Sequence, residues 1–122
     1  MKDEKKKPQD LRERTKRYAL EVIRLYVSLP KTTEAQILGK QLLRSGTSVG
    51  AQYREGQRAK SDADLISKME GALQELDESA YWLELLVDSN IIVQARAAHL
   101  AQETDELISI FVTIVRRLKG QG

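Results

Sequence analysis

The stretch RSGTSVGAQYREGQRAKSDAD, residues 44–64, decides how the chain is read. It holds Gly46, Gly50 and Gly56, the hydroxyl residues Ser45, Thr47 and Ser48, and the cations Arg44, Arg54, Arg58 and Lys60. A phosphate-cradling loop would need a strand before the glycines and the glycine spacing of a nucleotide motif, and neither is present. A helix fits instead. Leu38/Gly39, Leu42, Gly46, Val49, Tyr53 and Gly56 recur at intervals of three and four, the spacing of one buried helical stripe. Glycine therefore falls on the buried seam. Each glycine weakens a helix interior by roughly 0.5–1 kcal/mol against alanine, so several together predict close backbone approach to a neighbouring helix.

The same periodicity extends outward from this stretch. A first helix runs Leu11, Thr15, Tyr18, Val22, Leu25, Leu29 and stops at Pro30. The second opens near Thr33, which with Gln36 fits a capping box. A third runs Leu65/Ile66, Met69, Leu73, Leu76, Ala80, Leu83, Val87, with Ser61 or Asp62 as N-cap and Asn90 as a left-handed C-terminal residue. A fourth runs Ala97, Ala101, Thr104, Ile108, Phe111, Val115, Leu118. Turn-length connections make sequential neighbours antiparallel. The expected fold is all-α, an up-down-up-down antiparallel four-helix bundle over residues 10–120, after a flexible basic tail at 1–9.

At 122 residues the chain is long enough for one core. With no cysteine, disulfides and thiolate metal sites are excluded. No apolar run nears the ~20 residues of a membrane span, and the charged N-terminus lacks the apolar core of a signal peptide, so a cytoplasmic protein is expected. The net charge of +2 conceals an uneven distribution, with eight acidic groups against one basic in residues 61–90.

That asymmetry forms two stripes. The outward face of the second helix reads Lys40, Arg44, Thr47, Ala51, Arg54, Arg58, extended by Lys60. The third carries Glu70, Gln74, Asp77, Tyr81, Glu84, Asp88, with Trp82 beside the exposed tyrosine. Lys40, Arg44, Arg54, Arg58 and Lys60 are candidates for contact with nucleic-acid phosphates, where cations gain affinity by counterion release. Glu70, Asp77, Tyr81, Trp82 and Glu84 are candidates for a subunit interface, because an aromatic within an acidic face suits a covered surface. The alternative is that both stripes serve subunit contacts only, making the protein a scaffold.

Catalytic chemistry finds little footing. The one histidine, His99, lacks the Glu-x-x-His partners of a di-metal bundle. Arg96 and His99 lie one turn apart with no further acid or base in sequence to support a nuclease. The carboxylates of the third helix face outward. No enzyme, cofactor, metal or small-molecule substrate is expected.

The run from Gln41 to Leu86 resembles the 23S rRNA-intervening sequence proteins. Leu42, Arg44, Ser45, Ser48, Val49, Ala51, Glu55, Gly56, Leu73 and Glu75 match that family's pattern, and Gln52 departs from it by replacing an asparagine. The resemblance implies an up-down four-helix bundle assembled into rings of five, with no catalytic residues. A related protein, the accessory variability determinant of diversity-generating retroelements, implies nucleic-acid binding on a basic surface. The expected function is thus a non-enzymatic homopentamer that binds RNA or DNA.

Overall fold

The structure, a computed structural model, describes residues 10–120. Four helices account for nearly all of them: α1 (Leu11–Val27), α2 (Thr33–Gln57), α3 (Asp62–Asp88) and α4 (Gln94–Leu118). The expected four-helix bundle is what the chain forms, and no strand occurs among the described residues. The tail at 1–9 lies outside them.

Three of the four helix starts follow from side chains that replace missing backbone acceptors, while α4 begins after Val93 without a side-chain cap. Asp10 accepts from the Glu13 amide at 3.2 Å, and Ser61 from the Asp64 amide at 3.1 Å. The expected cap at Thr33 is displaced by one residue: Thr32, in extended conformation, accepts from the Ala35 amide, leaving Thr33 as the first helical residue. Gln36 is therefore released from a capping box and pins the turn instead. Its Nε2 donates to the Pro30 carbonyl at 2.8 Å, and its Oε1 accepts from the Tyr26 hydroxyl at 2.9 Å. Asn90, at φ 63°, takes the left-handed position after α3, as its small amide side chain permits.

The odd stretch lies within α2 as far as Gln57, and its glycines are contact points. A Cβ on Gly46 would sit 2.8 Å from Val22 of α1; one on Gly50 would sit 3.0 Å from Thr15; one on Gly39 would strike Leu29 and Tyr26. On the other side of α2, Gly56 receives the Met69 methyl of α3. The Gln52 amide lies against α3, 2.8 Å from where a Cβ on Gly71 would stand. Backbone proximity thus joins α1 to α2 and α2 to α3, around a core that includes Val22, Leu42, Val49, Met69, Leu76, Leu86, Leu107 and Phe111.

Four polar side chains are also buried in that core: Thr15, Ser45, Ser79 and Thr104. Each satisfies itself against the preceding turn, as Thr15 does on the Leu11 carbonyl at 2.6 Å and Thr104 on the Leu100 carbonyl at 2.7 Å. Ser45 and Ser79 bond each other across the α2–α3 seam at 2.7 Å.

The α1–α4 seam is built differently. Here the backbones stand farther apart, and long polar side chains bridge them. Arg14 holds Glu103 (Nε–Oε2 2.7 Å) and Glu106 (Nη2–Oε1 2.8 Å), the Tyr18 hydroxyl shares a hydrogen bond with Thr104 at 2.7 Å, and Arg96 donates to Ser28 at 2.6 Å.

Candidate nucleic-acid interface

Helical periodicity alone brings Lys40, Arg44, Arg54 and Arg58 to the outer side of α2, because its core positions consume the opposite face. Lys40 and Arg58 are exposed, Arg54 is half-buried, and Lys60 is exposed in the turn before α3. None of these four makes an ion pair among the described residues. Arg44 differs from them. Its guanidinium reaches across the α2–α3 seam to Glu75 (Nη1–Oε1 3.3 Å) and Glu78 (Nη2–Oε1 2.6 Å), which raises its pKa chiefly through the Glu78 hydrogen bond. Glu75 and Glu78 flank the acidic stripe of α3, so the two charged faces meet in part within one chain. The pair is half-exposed and stabilises the fold by no more than about 1 kcal/mol, but it occupies an arginine otherwise free for phosphate.

The structure adds a cation that spacing along α2 could not supply. Lys16 of α1 and Arg54 of α2 flank a groove of about 360 Å³ between the two helices, floored by Ala19, Gly50 and Ala51. The small size of Ala19, Gly50 and Ala51 leaves that space unfilled. The signal for Lys16 was present in the sequence as the outward spacing of α1. Only the pairing of α1 with α2 makes it relevant.

The acidic candidates separate in the same way. Asp77 and Glu84 are exposed, and Tyr81 is 53% exposed with its ring tilted against Trp82 at 5.2 Å. Glu70 is tied to Lys119 of α4. Trp82 is not a free surface aromatic: it packs against this chain's own core, with its indole Nε1 buried.

Arg96 and His99 do not converge on a common point. Arg96 turns to Ser28, while His99 Nδ1 lies 2.8 Å from Glu21 Oε2, both within the α1–α4 seam. The Glu21 hydrogen bond, with its charge, holds His99 above its usual pKa of 6.5. A raised folded-state pKa contributes stability that is complete below pH 6.5 and lost as pH rises through the folded value. An NMR titration of the His99 ring is expected to show a midpoint above 6.5 that falls toward 6.5 in Glu21→Gln. Equal midpoints in the two proteins would mean the pair does not form in solution. No cluster of carboxylates and histidine suited to a metal occurs among the described residues.

A profile of the 23S rRNA-intervening sequence proteins matches residues 7–113, which is most of the chain. The chain belongs to that family. A crystal structure at 1.70 Å of a protein of unknown function from the S23 ribosomal protein family of Bacteroides thetaiotaomicron VPI-5482 is similar at 33% identity. The match covers 86% of this chain and 97% of that one, with a TM-score of 0.81. No curated protein matches the chain. The profile reaches from the end of the basic tail to the last turns of α4, so the family pattern includes all four helices described above.

Proposed function

We propose that this family member acts by binding rather than by catalysis, as a cytoplasmic homo-oligomer that holds RNA or another nucleic acid on the outer face of α2. The observation carrying this reading is that Lys40, Arg54, Arg58 and Lys60 stand on one side of the molecule without carboxylate partners among the described residues, while Arg44, Lys68 and Lys119 are neutralised by Glu75, Glu78, Glu55 and Glu70. Unneutralised cations beside a small-residue groove suit a phosphate backbone, which needs charge and close approach rather than base-specific pockets. Lys16 joins the face through the α1–α2 groove. The ribosomal names of the family and of its solved member accord with an RNA partner. A pentamer is what the family resemblance implies for the assembly. No described helix is long and apolar enough to cross a membrane.

Fluorescence anisotropy with structured RNA and with duplex DNA, over a salt series, tests the reading. Wild type is expected to lose affinity steeply with salt. A variant carrying Lys40→Ala, Arg54→Ala and Arg58→Ala should have a slope of log K against log salt shallower by about 0.9 for each duplex phosphate contact removed. Arg44→Ala should change the slope least, since Glu75 and Glu78 already occupy that guanidinium. Absence of binding by wild type at low salt would overturn the proposal. Loss of oligomer mass in the triple variant, read by light scattering, would assign the stripe to subunit contacts and the protein to the scaffold class.

A further inference from the structure

The core positions of α1 are Leu11, Thr15, Tyr18, Val22 and Leu25. Opposite them, at intervals of three and four, stand Leu20, Ile23 and Val27, which are 41%, 38% and 67% exposed. Three large aliphatic side chains on one turn-spaced line form a ridge that nothing among the described residues covers, and such a surface signals association. Arg17 and Arg24 run beside it, both exposed and both without an ion pair among the described residues.

On another side of the bundle lies the concave counterpart. A groove of about 520 Å³ runs between α3 and α4, its floor built from Ala97, Ala98 and Ala101. Alanine at these positions leaves a trough where larger side chains would fill the inter-helix space. Its rim carries Glu84, Asp88 and Asp105, none of them in an ion pair among the described residues. Convex, apolar and basic-edged on α1 meets concave, apolar and acid-edged on α3–α4. Ridges of one helix packing into grooves of others is the ordinary geometry of helix association.

We propose that the Leu20–Ile23–Val27 ridge of one copy docks in the α3–α4 groove of a second copy, with Arg17 and Arg24 facing the acidic rim. The proposal rests on the homo-oligomer reading above and names its contact. Charge complementarity selects a second copy as the occupant, since each surface is the counterpart of one that every copy carries. The contact is heterologous: each subunit uses its ridge on one neighbour and its groove on another, so the arrangement repeats and can close into a ring. Neither surface includes Lys40, Arg54, Arg58 or Lys60, whereas Lys16 stands one turn before Leu20 on the ridge line.

Complementation between disabled copies tests it. Leu20→Asp with Val27→Asp removes the ridge, and Ala98→Arg with Ala101→Arg obstructs the groove. All four positions are exposed, so each variant should keep its helical circular dichroism. Light scattering over a concentration series is expected to show wild type as an oligomer and each variant as a monomer. An equimolar mixture should give a heterodimer that grows no further, because one intact ridge and one intact groove remain in it. A ridge variant that keeps the wild-type mass, or a mixture that stays monomeric, overturns the assignment of faces while leaving the oligomer reading intact. A monomeric wild type overturns both. Should Leu20→Asp/Val27→Asp unfold the chain, Arg17→Glu/Arg24→Glu replaces it: that variant should dissociate alone and reassociate when mixed with Glu84→Lys/Asp88→Lys, and failure of the mixture to associate counts against the contact.

Discussion

Phe111→Ala is expected to destabilise the bundle by about 3–5 kcal/mol, a large share of the ~5–15 kcal/mol by which a domain of this kind is stable. Phe111 is fully buried on α4, and its ring meets Tyr53 of α2 edge-on, with centroids 6.1 Å apart and planes at 87°. The helices it joins are diagonal rather than adjacent, so the ring fills the centre of the bundle where four surfaces converge. Truncation removes the apolar transfer term and leaves a cavity that four rigid backbones cannot collapse into. It also removes an edge-to-face pair of about 0.5–1.5 kcal/mol beyond its area. Urea denaturation of wild type, Phe111→Ala and Phe111→Leu measures this. The leucine variant, closer in volume, should lose less than the alanine variant. A loss below about 1 kcal/mol in Phe111→Ala would mean the ring does not hold the centre of the core.

The second large effect is at Gly46. Alanine ordinarily strengthens a helix interior by up to about 1 kcal/mol over glycine, so Gly46→Ala should stabilise if local preference ruled. The opposite is expected: a net loss of about 1–3 kcal/mol. A Cβ at this position would lie 2.8 and 3.0 Å from the two γ-carbons of Val22, and Val22 is itself fully buried and β-branched. It has no free rotamer to turn into, so α1 and α2 must separate. Gly71→Ala is the internal control. What it would meet is the Gln52 amide, the mobile end of a half-buried side chain that can swing aside. Gly71→Ala should therefore be neutral or stabilising by up to about 1 kcal/mol. Thermal melts of the two variants, with wild type, separate the effects. A stabilised Gly46→Ala would mean the α1–α2 spacing is not set by that contact.

These two sites show what kinds of information the sequence carries. That α2 is a helix through its glycines was legible because Gly39, Leu42, Gly46, Val49 and Gly56 share one periodic face, and all five are buried. The seam role of glycine followed from the energetic penalty of placing it there. Which partner each glycine admits was not legible: Gly46 and Gly50 face α1 while Gly56 faces α3, and periodicity records a face but not a neighbour. The one-residue error at the α2 start has a similar cause. Thr32 and Thr33 are chemically equivalent as caps, and the choice fell to Thr32, with Gln36 engaged by Pro30 and Tyr26.

The candidate site divides along the same line. Lys40, Arg54 and Arg58 reach the outer side of α2 by helical spacing alone. Arg44 obeys the same spacing, yet Glu75 and Glu78 of α3 occupy it. Trp82 was expected with Tyr81 at a subunit interface, and that expectation could not anticipate that its ring also packs partly against the chain's own core. Glu21 and His99 lie 78 positions apart in sequence and become a bonded pair only when α1 and α4 stand side by side.

Helix count, helix faces, the absence of thiol chemistry and the segregation of charge were determined by the sequence alone, because each depends on residue type and on spacing within one helix. Tertiary structure decided which charges are neutralised, which cation of α1 stands beside the face of α2, and that α3 and α4 enclose a trough while the α1 ridge is left bare by the described residues. Those properties belong to pairs of helices. They depend on how closely two backbones approach and at what register, which in this chain is set by glycines between α1, α2 and α3 and by long polar side chains between α1 and α4.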